Sequence, residues 1–465
     1  MSFQFSKLAL ALILTGSLAG CSAIVKTPYH APNVQVPQQF QYDTTASKSA
    51  HLSDQWWTLF QDSQLNHLVE QVLATNNDLA VAGITLQQAR LQAGLAADKQ
   101  GLRTNSSAST GHNYDLGSSN DSDRGLSANI GVSYELDLFG KLARQTEAAK
   151  WEALASEQDL QATAQSLVGT TAKLYWQLGY LNERYQTVQQ NLASTQKIYD
   201  LVQSQYQAGA VSGLDLTQAE QSVQSQKSSL SQIEQQRVET RTALAVLLHE
   251  PVQQLRLTEP SQLPQSALPE INAGLPADIL SRRPDLQAAE LRLRKALANK
   301  DATKASYYPS LNLTSSLGAA STSLAQLLQN PTLSLGASLS LPFLQYNDMK
   351  KDIKISDLEY EKTITQYRQT LYQAFADVEN ALSNRTQLDQ QVQLQQRNLE
   401  LADKTERLTE VRYRNGAIAL KNLLDAQETT RNARLNLVET KQNQYNAYVT
   451  LMQALGGSPV KELPN

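Results

Sequence analysis

The chain contains one sequence pattern twice, and this duplication limits its fold more than any other feature. The segment VLATNNDL at 72–79 matches ILSRRPDL at 279–286, and YQAGAV at 206–211 matches YRNGAI at 413–418. Both matches have the same spacing, 207 residues, which is the mark of an internal duplication with halves of roughly 200 residues. The sequence therefore predicts one structural unit built twice.

Each half also changes its hydrophobic period twice. Leucines at helical spacing come first, at 78–100 and 285–307, and apolar and polar residues alternate after them. Such alternation predicts strands with one apolar and one polar face. We expect one hairpin in each half, although the first strand has weak alternation and is inferred from the repeat. The predicted strands lie at about 104–112, 127–138, 310–318 and 333–341, with hairpin tips at about 113–125 and 319–332.

A soluble sheet with one wet face would show the same alternation, but two features favour a membrane sheet. The strands have about nine to eleven residues, the length that a tilted strand needs to cross a bilayer. Aromatic residues such as Tyr134, Tyr307 and Phe343 also collect where strands meet helices. Four strands cannot close a barrel, and open edges are not tolerated in lipid. Several copies must therefore pool their strands, and three copies make a twelve-stranded barrel.

After each hairpin, apolar residues recur every seven positions over an unusual distance, as in a coiled coil. One seam runs from Leu160 to Val188 and a companion seam ends at Tyr206. No proline occurs from Lys141 to Ala208, so one helix of about 65 residues would extend about 100 Å. The remaining faces are polar, which fits a solvated two-stranded coiled coil or the wall of a water-filled tube. Only the tube fits a barrel at one end.

The N-terminus has the pattern of a bacterial lipoprotein signal. Lys7 precedes an apolar run at 8–14, and the tetrapeptide Leu18-Ala19-Gly20-Cys21 follows it. Cys21 is the only cysteine, its thiol would accept diacylglycerol, and two or more acyl chains give durable anchoring. The alternative is a buried cysteine behind an ordinary signal peptide. Ser22 stands where lipoproteins retained in the inner membrane typically have aspartate, which favours the outer membrane.

The composition argues against several other functions. The formal net charge is −4, so we expect no basic surface for nucleic acid. The five histidines are scattered without ligand spacing, and the sequence has no GxSxG, phosphate-binding loop or CxxC motif. We therefore expect no catalytic residue, no metal site and no cofactor apart from a covalent lipid on Cys21. A serine, histidine and aspartate site assembled from distant residues stays open at this point.

These patterns divide the chain into six segments. The predicted fold is mainly α, with a small transmembrane β-barrel to which several copies contribute strands, and a helical tunnel. The segments are a signal peptide (1–20), a lipid-anchored tether (21–60), a first repeat (61–249, coiled coil 141–249), a proline-rich linker (250–278), a second repeat (279–455, coiled coil 346–455) and a tail (456–465).

Several motifs together resemble the lipoprotein branch of the TolC-like outer-membrane efflux factors. The resemblance covers essentially the whole mature chain, with motifs from both halves in the right order. It implies a homotrimer in the outer membrane, docked by a periplasmic adaptor and an inner-membrane pump, that releases drugs, toxic compounds or metal ions. A duct for protein secretion and a non-conducting surface lipoprotein are the alternatives. Besides the N-terminal signal, the motifs are ELDLFGK (135–141), LSRRPDLQAAELRL (280–293), YYPSLNL (307–313) and YRNGAIALKNLLDAQ (413–427).

The resemblance also implies a gate at the end farthest from the barrel, where Gly209 and Gly416 mark the turns between helices. Asp425 matches an acidic residue that forms a constricting ring in relatives, whereas Asn422 replaces a second acidic position. A tyrosine–aspartate hydrogen bond of the family corresponds to Tyr413 and Asp215. From the residues alone, Asp425 fits a solvated helix charge better. Three carboxylates around one axis would instead attract cations and set the aperture.

We expect Cys21→Ser to abolish labelling by a palmitate analogue and to leave the precursor with its signal peptide attached, because the acceptor thiol is gone. Metabolic labelling followed by mass spectrometry of the N-terminal peptide measures both effects. Normal processing of this variant would refute the lipoprotein signal.

Overall fold

The computed structural model describes residues 25–42, 55–114, 122–271, 276–323, 327, 329 and 331–457. Cys21 and the signal peptide, parts of both predicted hairpin tips (115–121 in the first; 324–326, 328 and 330 in the second) and the end of the tail lie outside these residues. The described chain is mainly helical and has a small sheet, so the predicted fold class is confirmed at this level. Its α-helices are α1 (Ser63–Thr75), α2 (Asn77–Asp98), α3 (Lys141–Gln207), α4 (Gly213–Leu248), α5 (Ile279–Arg282), α6 (Pro284–Ser306), α7 (Tyr346–Arg414) and α8 (Leu420–Ala454).

Four antiparallel strands form one sheet in the order β1-β2-β3-β4. The strand inferred from the repeat alone is present as β1, and β2 pairs with β3 across the two halves of the sequence. Short 3-10 turns occur at Trp56–Phe60, Val252–Gln254, Pro276–Asp278 and Pro342–Leu344. The strands are β1 (Arg103–Tyr114), β2 (Ser122–Leu136), β3 (Ser310–Ser321) and β4 (Pro331–Ser340).

The register places the apolar residues of β2, β3 and β4 on one face of the sheet. Ile130 lies opposite Leu317, and Leu317 lies opposite Leu333. These three side chains are 55–67% exposed, and Leu335 is 77% exposed. An exposed apolar patch of this kind marks a surface that contacts a membrane or another protein. No helix in the described part of the chain has both the length and the hydropathy to cross a membrane.

The predicted heptad seams are buried over much of their length. In α3, Leu160, Leu167, Leu181 and Val188 are at most 8% exposed. In α7 the seam residues Leu371, Ala374 and Val378 are fully enclosed. The companion seam of α3 stops before its predicted end, since Tyr206 is 46% exposed. The first seam therefore packs as the spacing predicts.

The chain forms two compact units, and neither coincides with one sequence repeat. The first unit comprises Met1–Val34, Gly83–Gln158 and Gln287–Thr370, and it contains the sheet. The second comprises Gln35–Ala82, Asp159–Leu286 and Leu371–Asn465. Each unit thus takes segments from both halves of the duplicated sequence.

Aromatic side chains from distant segments make the core of the second unit. The Phe60 ring lies 4.7 Å from Trp176 and 5.0 Å from Tyr448, measured between ring centroids. Trp176 and Tyr448 are at most 1% exposed. Burial raises the pKa of the Tyr448 phenol to about 12. Trp56–Phe60 belongs to this core, so this part of the predicted tether is packed against helices of the second unit.

The proline-rich linker is fixed to the second unit by charged and polar contacts. The Glu259 carboxylate accepts hydrogen bonds from Arg241 Nε at 2.5 Å and from Asn182 Nδ2 at 3.1 Å. These partners hold the pKa of Glu259 below its usual value despite the opposing effect of burial. Gly179 lets the linker approach α3, because a Cβ atom there would lie 3.0 Å from the Gln262 carbonyl oxygen.

The repeated LSRRPDL segment is held by a second charged group in the same unit. The Arg283 side chain lies 2.7 Å from Asp285 and 3.3 Å from Asp377 and is only 12% exposed. Its guanidinium also donates to the carbonyl oxygen of Ala454 at 3.4 Å, near the C-terminal end of α8. One cation therefore joins the start of α6, α7 and the end of α8. A cation at the end of a helix also interacts favourably with the helix dipole.

We expect Gly456→Ala to lower the free energy of unfolding by about 2–5 kcal/mol, since strain and overlap act together. Gly456 has φ +79° in the left-handed region, and its Cβ would lie 2.7 Å from a backbone atom of Arg282. Gly209 has φ +73° with open space around it. Gly209→Ala should therefore lower the free energy of unfolding only through backbone strain, by about 1–2 kcal/mol. Thermal unfolding in detergent, followed by circular dichroism, compares the two.

Gly83→Ala is the control for this comparison, because Gly83 is helical and nothing lies within 4 Å of its added Cβ. It should keep or slightly raise the unfolding midpoint. Equal midpoints for the Gly456 and Gly209 variants would contradict the close packing at Gly456.

Candidate functional site at the two helical turns

The two long helices α3 and α7 end in the same backbone motif. Gly209 and Gly416 adopt φ +73° and +69°, which favours glycine because it has no Cβ. After each glycine, one amide reaches back to close the helix: Ala210 N donates to Gln205 O at 2.8 Å, and Ala417 N to Arg412 O at 3.0 Å. This is the Schellman arrangement, which satisfies carbonyl groups left free at a helix end. The structure thus places both predicted tip glycines at turns.

The helices that leave these turns begin differently. Ser212 caps α4 with its hydroxyl group, and the Asp215 carboxylate accepts from Ser212 N at 3.0 Å and from Ser212 Oγ at 2.6 Å. This reciprocal pair is a capping box. The equivalent residues after the second turn are Ala419 and Asn422, and Ala419 provides no side-chain cap for α8. The first turn is therefore more strongly fixed than the second.

A small apolar cluster joins the two turns within the second unit. Val202 of α3, Ala219 of α4 and Leu420 of α8 are its buried members, none more than 4% exposed. The side chain of Tyr413 packs against this cluster, as do Val211 and Leu424. Hydrophobic contact therefore holds the turn between α3 and α4 against the turn between α7 and α8.

Tyr413 and Asp215 line the same surface depression between the turns. Burial raises the pKa of the Tyr413 phenol above its usual value, and the negative charge of Asp215 raises it further. Among the described contacts, however, the Asp215 carboxylate bonds to Ser212 and no hydrogen bond joins it to Tyr413. The tyrosine–aspartate hydrogen bond implied by the resemblance therefore stays a prediction.

Asp425 and Asn422 lie on the exposed surface of α8, within two turns of its start. The Asp425 carboxylate accepts from Lys421 Nζ at 2.7 and 3.0 Å, with both side chains at least 60% exposed. An exposed ion pair of this kind contributes little to stability. Lys421, one helical turn before Asp425, therefore compensates the negative charge of this carboxylate.

Sequence reasoning missed Ser212 and Lys421 as members of this site. Both had a local signal. Ser212 and Asp215 have the spacing of a capping box, and Lys421 and Asp425 are four residues apart on one helix. Among the residues that the structure describes, no group of three or more acidic, histidine or cysteine side chains could hold a metal ion.

The chain has two pairs of long helices, and each pair follows strands in the sequence. These strands expose an apolar face. This arrangement is typical of channel-forming subunits of the outer membrane. The sequence model for "Outer membrane efflux protein" matches residues 68–249 and 275–457, once in each half of the chain. This double match agrees with the duplication found from the sequence. The chain therefore belongs to the outer membrane efflux protein family.

Relatives with full-length similarity support this assignment. The pyoverdine export outer membrane protein OpmQ of Pseudomonas putida is 33% identical, and the match covers 96% of each chain. The cation efflux system protein CusC of Escherichia coli is 28% identical over 95% of this chain and 96% of its own. The open-state structure of the Neisseria gonorrhoeae MtrE outer membrane channel matches with a TM-score of 0.83 and 28% identity, covering 95% and 99% of the two chains.

The family places this chain in the outer membrane, extending into the periplasm, as the outer-membrane component of a tripartite efflux system. The predicted family, function and location are confirmed at this level. The lipid on Cys21 and the roles of the gate residues stay predictions.

We expect Ser212→Ala to weaken the start of α4 by about 0.5–2 kcal/mol, because the Asp215 amide loses its side-chain acceptor and keeps only the Ser212 carbonyl oxygen, at 3.1 Å. Hydrogen exchange at the Asp215 amide should become roughly two- to thirtyfold faster for this reason. The opposite change, Ala419→Ser with Asn422→Asp, should slow exchange at position 422 by a similar factor. Unchanged exchange in the Ser212 variant would show that the capping box does not hold the turn.

Proposed function

We propose that this chain is a passive exit duct for small molecules, working as a lipid-anchored homotrimer of the outer membrane. The observation that carries the proposal is the direct continuity between an apolar-faced sheet and two helices of 67 and 69 residues. The sheet suits the hydrocarbon of a bilayer, and the polar helical surfaces suit a water-filled periplasmic conduit.

The sheet supports the trimer through its unpaired edges. Within the described strands, β1 and β4 each pair on one side only, so each has a row of free backbone donors and acceptors. Lipid offers no partners for these groups. Pairing β4 of one copy with β1 of the next satisfies them, and three copies close a twelve-stranded barrel of the size expected for an open lumen.

The gate belongs to the turns at the far end of the helices. Asp425 of the three copies forms a ring of carboxylates, and Lys421 supplies a ring of amines one helical turn away. Tyr413 and Asp215 provide the polar contact between neighbouring coiled coils, and Asn422 leaves the second ring uncharged. The exposure of Asp425 and its position on α8 support this assignment.

The partners and the substrate follow from the same duct. A periplasmic adaptor docks on the turns and connects the duct to an inner-membrane pump, which supplies the energy. The relatives named for pyoverdine export and cation efflux support small molecules and metal ions as the substrate classes to test. Cys21 carries the lipid that fixes the N-terminus to the membrane.

We expect Asp425→Ala to raise single-channel conductance and to weaken cation selectivity in planar bilayers. Lys421→Ala should strengthen cation selectivity, because it leaves the carboxylate ring without its counter-charge. A unit charge about 4 Å away in water is worth about 1 kcal/mol, so each change should alter the permeability ratio by up to roughly fivefold.

Glu439→Ala is the matched control, since Glu439 is exposed on the same helix and lies about four turns farther from the gate. It should leave selectivity unchanged. If the Asp425 and Lys421 variants both behave like this control, the gate lies elsewhere. A protein that conducts nothing would instead support the non-conducting surface lipoprotein.

A further inference from the structure

A cavity of about 640 Å³ lies in the first unit, where the sheet meets the helices. Most of its wall is aromatic or aliphatic and comes from the end of α6, the 3-10 turn after β4 and the start of α7. One wall is rigid, because the Tyr308 ring stacks on Phe139 with 4.7 Å between their centroids. The apolar lining includes Val25, Tyr307, Tyr308, Phe343, Met349 and Ile353.

The polar residues of the cavity add no free charge to it. Lys26 lies 3.6 Å from Glu147, and Lys304 lies 3.8 Å from Asp357. With their ammonium groups paired, the lysines contribute mainly their methylene stems to the wall. The cavity therefore suits an apolar ligand better than a charged one.

Residues 25–28 form one side of this cavity. Val25 lines it and is only 9% exposed. Two short hydrogen bonds fix the next residues: Thr27 N and Thr27 Oγ1 each donate to the Asp301 carboxylate at 2.7 Å. Asp301 is only 2% exposed, so losing these donors would leave its buried carboxylate with fewer hydrogen bonds and would destabilise the fold. The N-terminal segment is thus held firmly beside the cavity.

The covalent chain limits where Cys21 can lie. Four residue steps separate Cys21 from Val25, and a fully extended chain covers at most about 3.6 Å for each step. The Cys21 Cα atom must therefore lie within roughly 14 Å of the Val25 Cα atom. Any acyl chain on Cys21 starts within reach of the cavity.

We propose that this cavity holds one of the acyl chains attached to Cys21. The inference rests on the proposed lipidation of Cys21, and it adds a specific protein site for the lipid. Aromatic residues at the junction of strands and helices place the cavity at the expected membrane–water interface. The anchor then binds its own protein as well as the bilayer, and the Thr27–Asp301 contact positions it.

Photo-cross-linking tests the site in the full-length protein. Cells grow with a palmitate analogue that carries a diazirine and an alkyne, and the purified protein is irradiated, digested and analysed by mass spectrometry. We expect cross-links from the Cys21 lipid to peptides containing residues 304–309 or 343–353, absent without irradiation. A Cys21→Ser variant exported by an ordinary signal peptide should lose these cross-links, although its membrane phospholipids still carry the analogue.

Two substitutions in α7 test whether the cavity itself holds the lipid. Met349→Trp fills the cavity and should abolish the cross-links while the N-terminal peptide stays lipidated. Leu358→Trp is the control, because Leu358 is 49% exposed, does not line the cavity and should leave the cross-links unchanged.

Cross-links that persist in the Met349→Trp variant would show that the cavity does not hold the lipid. Three other results would also overturn the proposal. Cross-links that persist in the Cys21→Ser variant would make a membrane phospholipid the occupant. A lipidated N-terminal peptide without cross-links to the cavity would place the acyl chain elsewhere. An N-terminal peptide without any lipid would show that the proposed lipidation itself has failed, and this result is distinguishable from the other two.

Discussion

The unpaired edges of the four-stranded sheet are the physical constraint on which the rest of this structure depends. Among the described residues, each outer strand has backbone groups without a partner strand, and the leucines of β3 and β4 are exposed on one face. In water, such an edge invites uncontrolled pairing. In lipid, it would leave polar groups unsatisfied. A symmetric assembly that joins the edges solves both problems, and the helices that continue the strands must then surround a common axis.

Irregular segments are held in place by a recurring device, a single ionised side chain with several partners. Asp301 holds the N-terminal segment in the first unit. In the second unit, Glu259 holds the linker, and Arg283 holds the start of α6. All three side chains are shielded from water for most of their surface. Removing one partner would therefore leave a charge that is poorly compensated. Segments without regular secondary structure thereby acquire defined positions along long helices.

The two turns have similar backbone geometry but different side-chain chemistry. Both turns close with a glycine of positive φ, yet only the first has the capping pair Ser212 and Asp215. The second has Ala419 and Asn422, and the Asp425–Lys421 pair follows it. A duct that opens needs one end that can rearrange, and regions of low local stability are where such motion occurs. The weaker second turn is consistent with the proposed gate.

Much of the fold could be predicted because its determinants are local and periodic. The two-residue alternation, the heptad spacing of Leu160 to Val188 and the glycines at 209 and 416 each act over a few neighbouring residues. The repeat even located β1, whose own alternation is weak. The packing of Trp56 and Phe60 could not be predicted, because these residues have no periodic pattern that indicates the aromatic core they join.

The tertiary structure alone decided which distant residues meet. Sequence spacing says nothing about the contact between Thr27 and Asp301, 274 residues apart, or about the pairing of β2 with β3. Sequence spacing was also not used to find that the Asp215 carboxylate accepts hydrogen bonds from Ser212, or that Asp425 forms an ion pair with Lys421. The sequence by itself determined the elements and their duplication, since periodicity is a property of neighbours. Their packing depends on which buried groups satisfy one another, and only the folded chain brings those groups together.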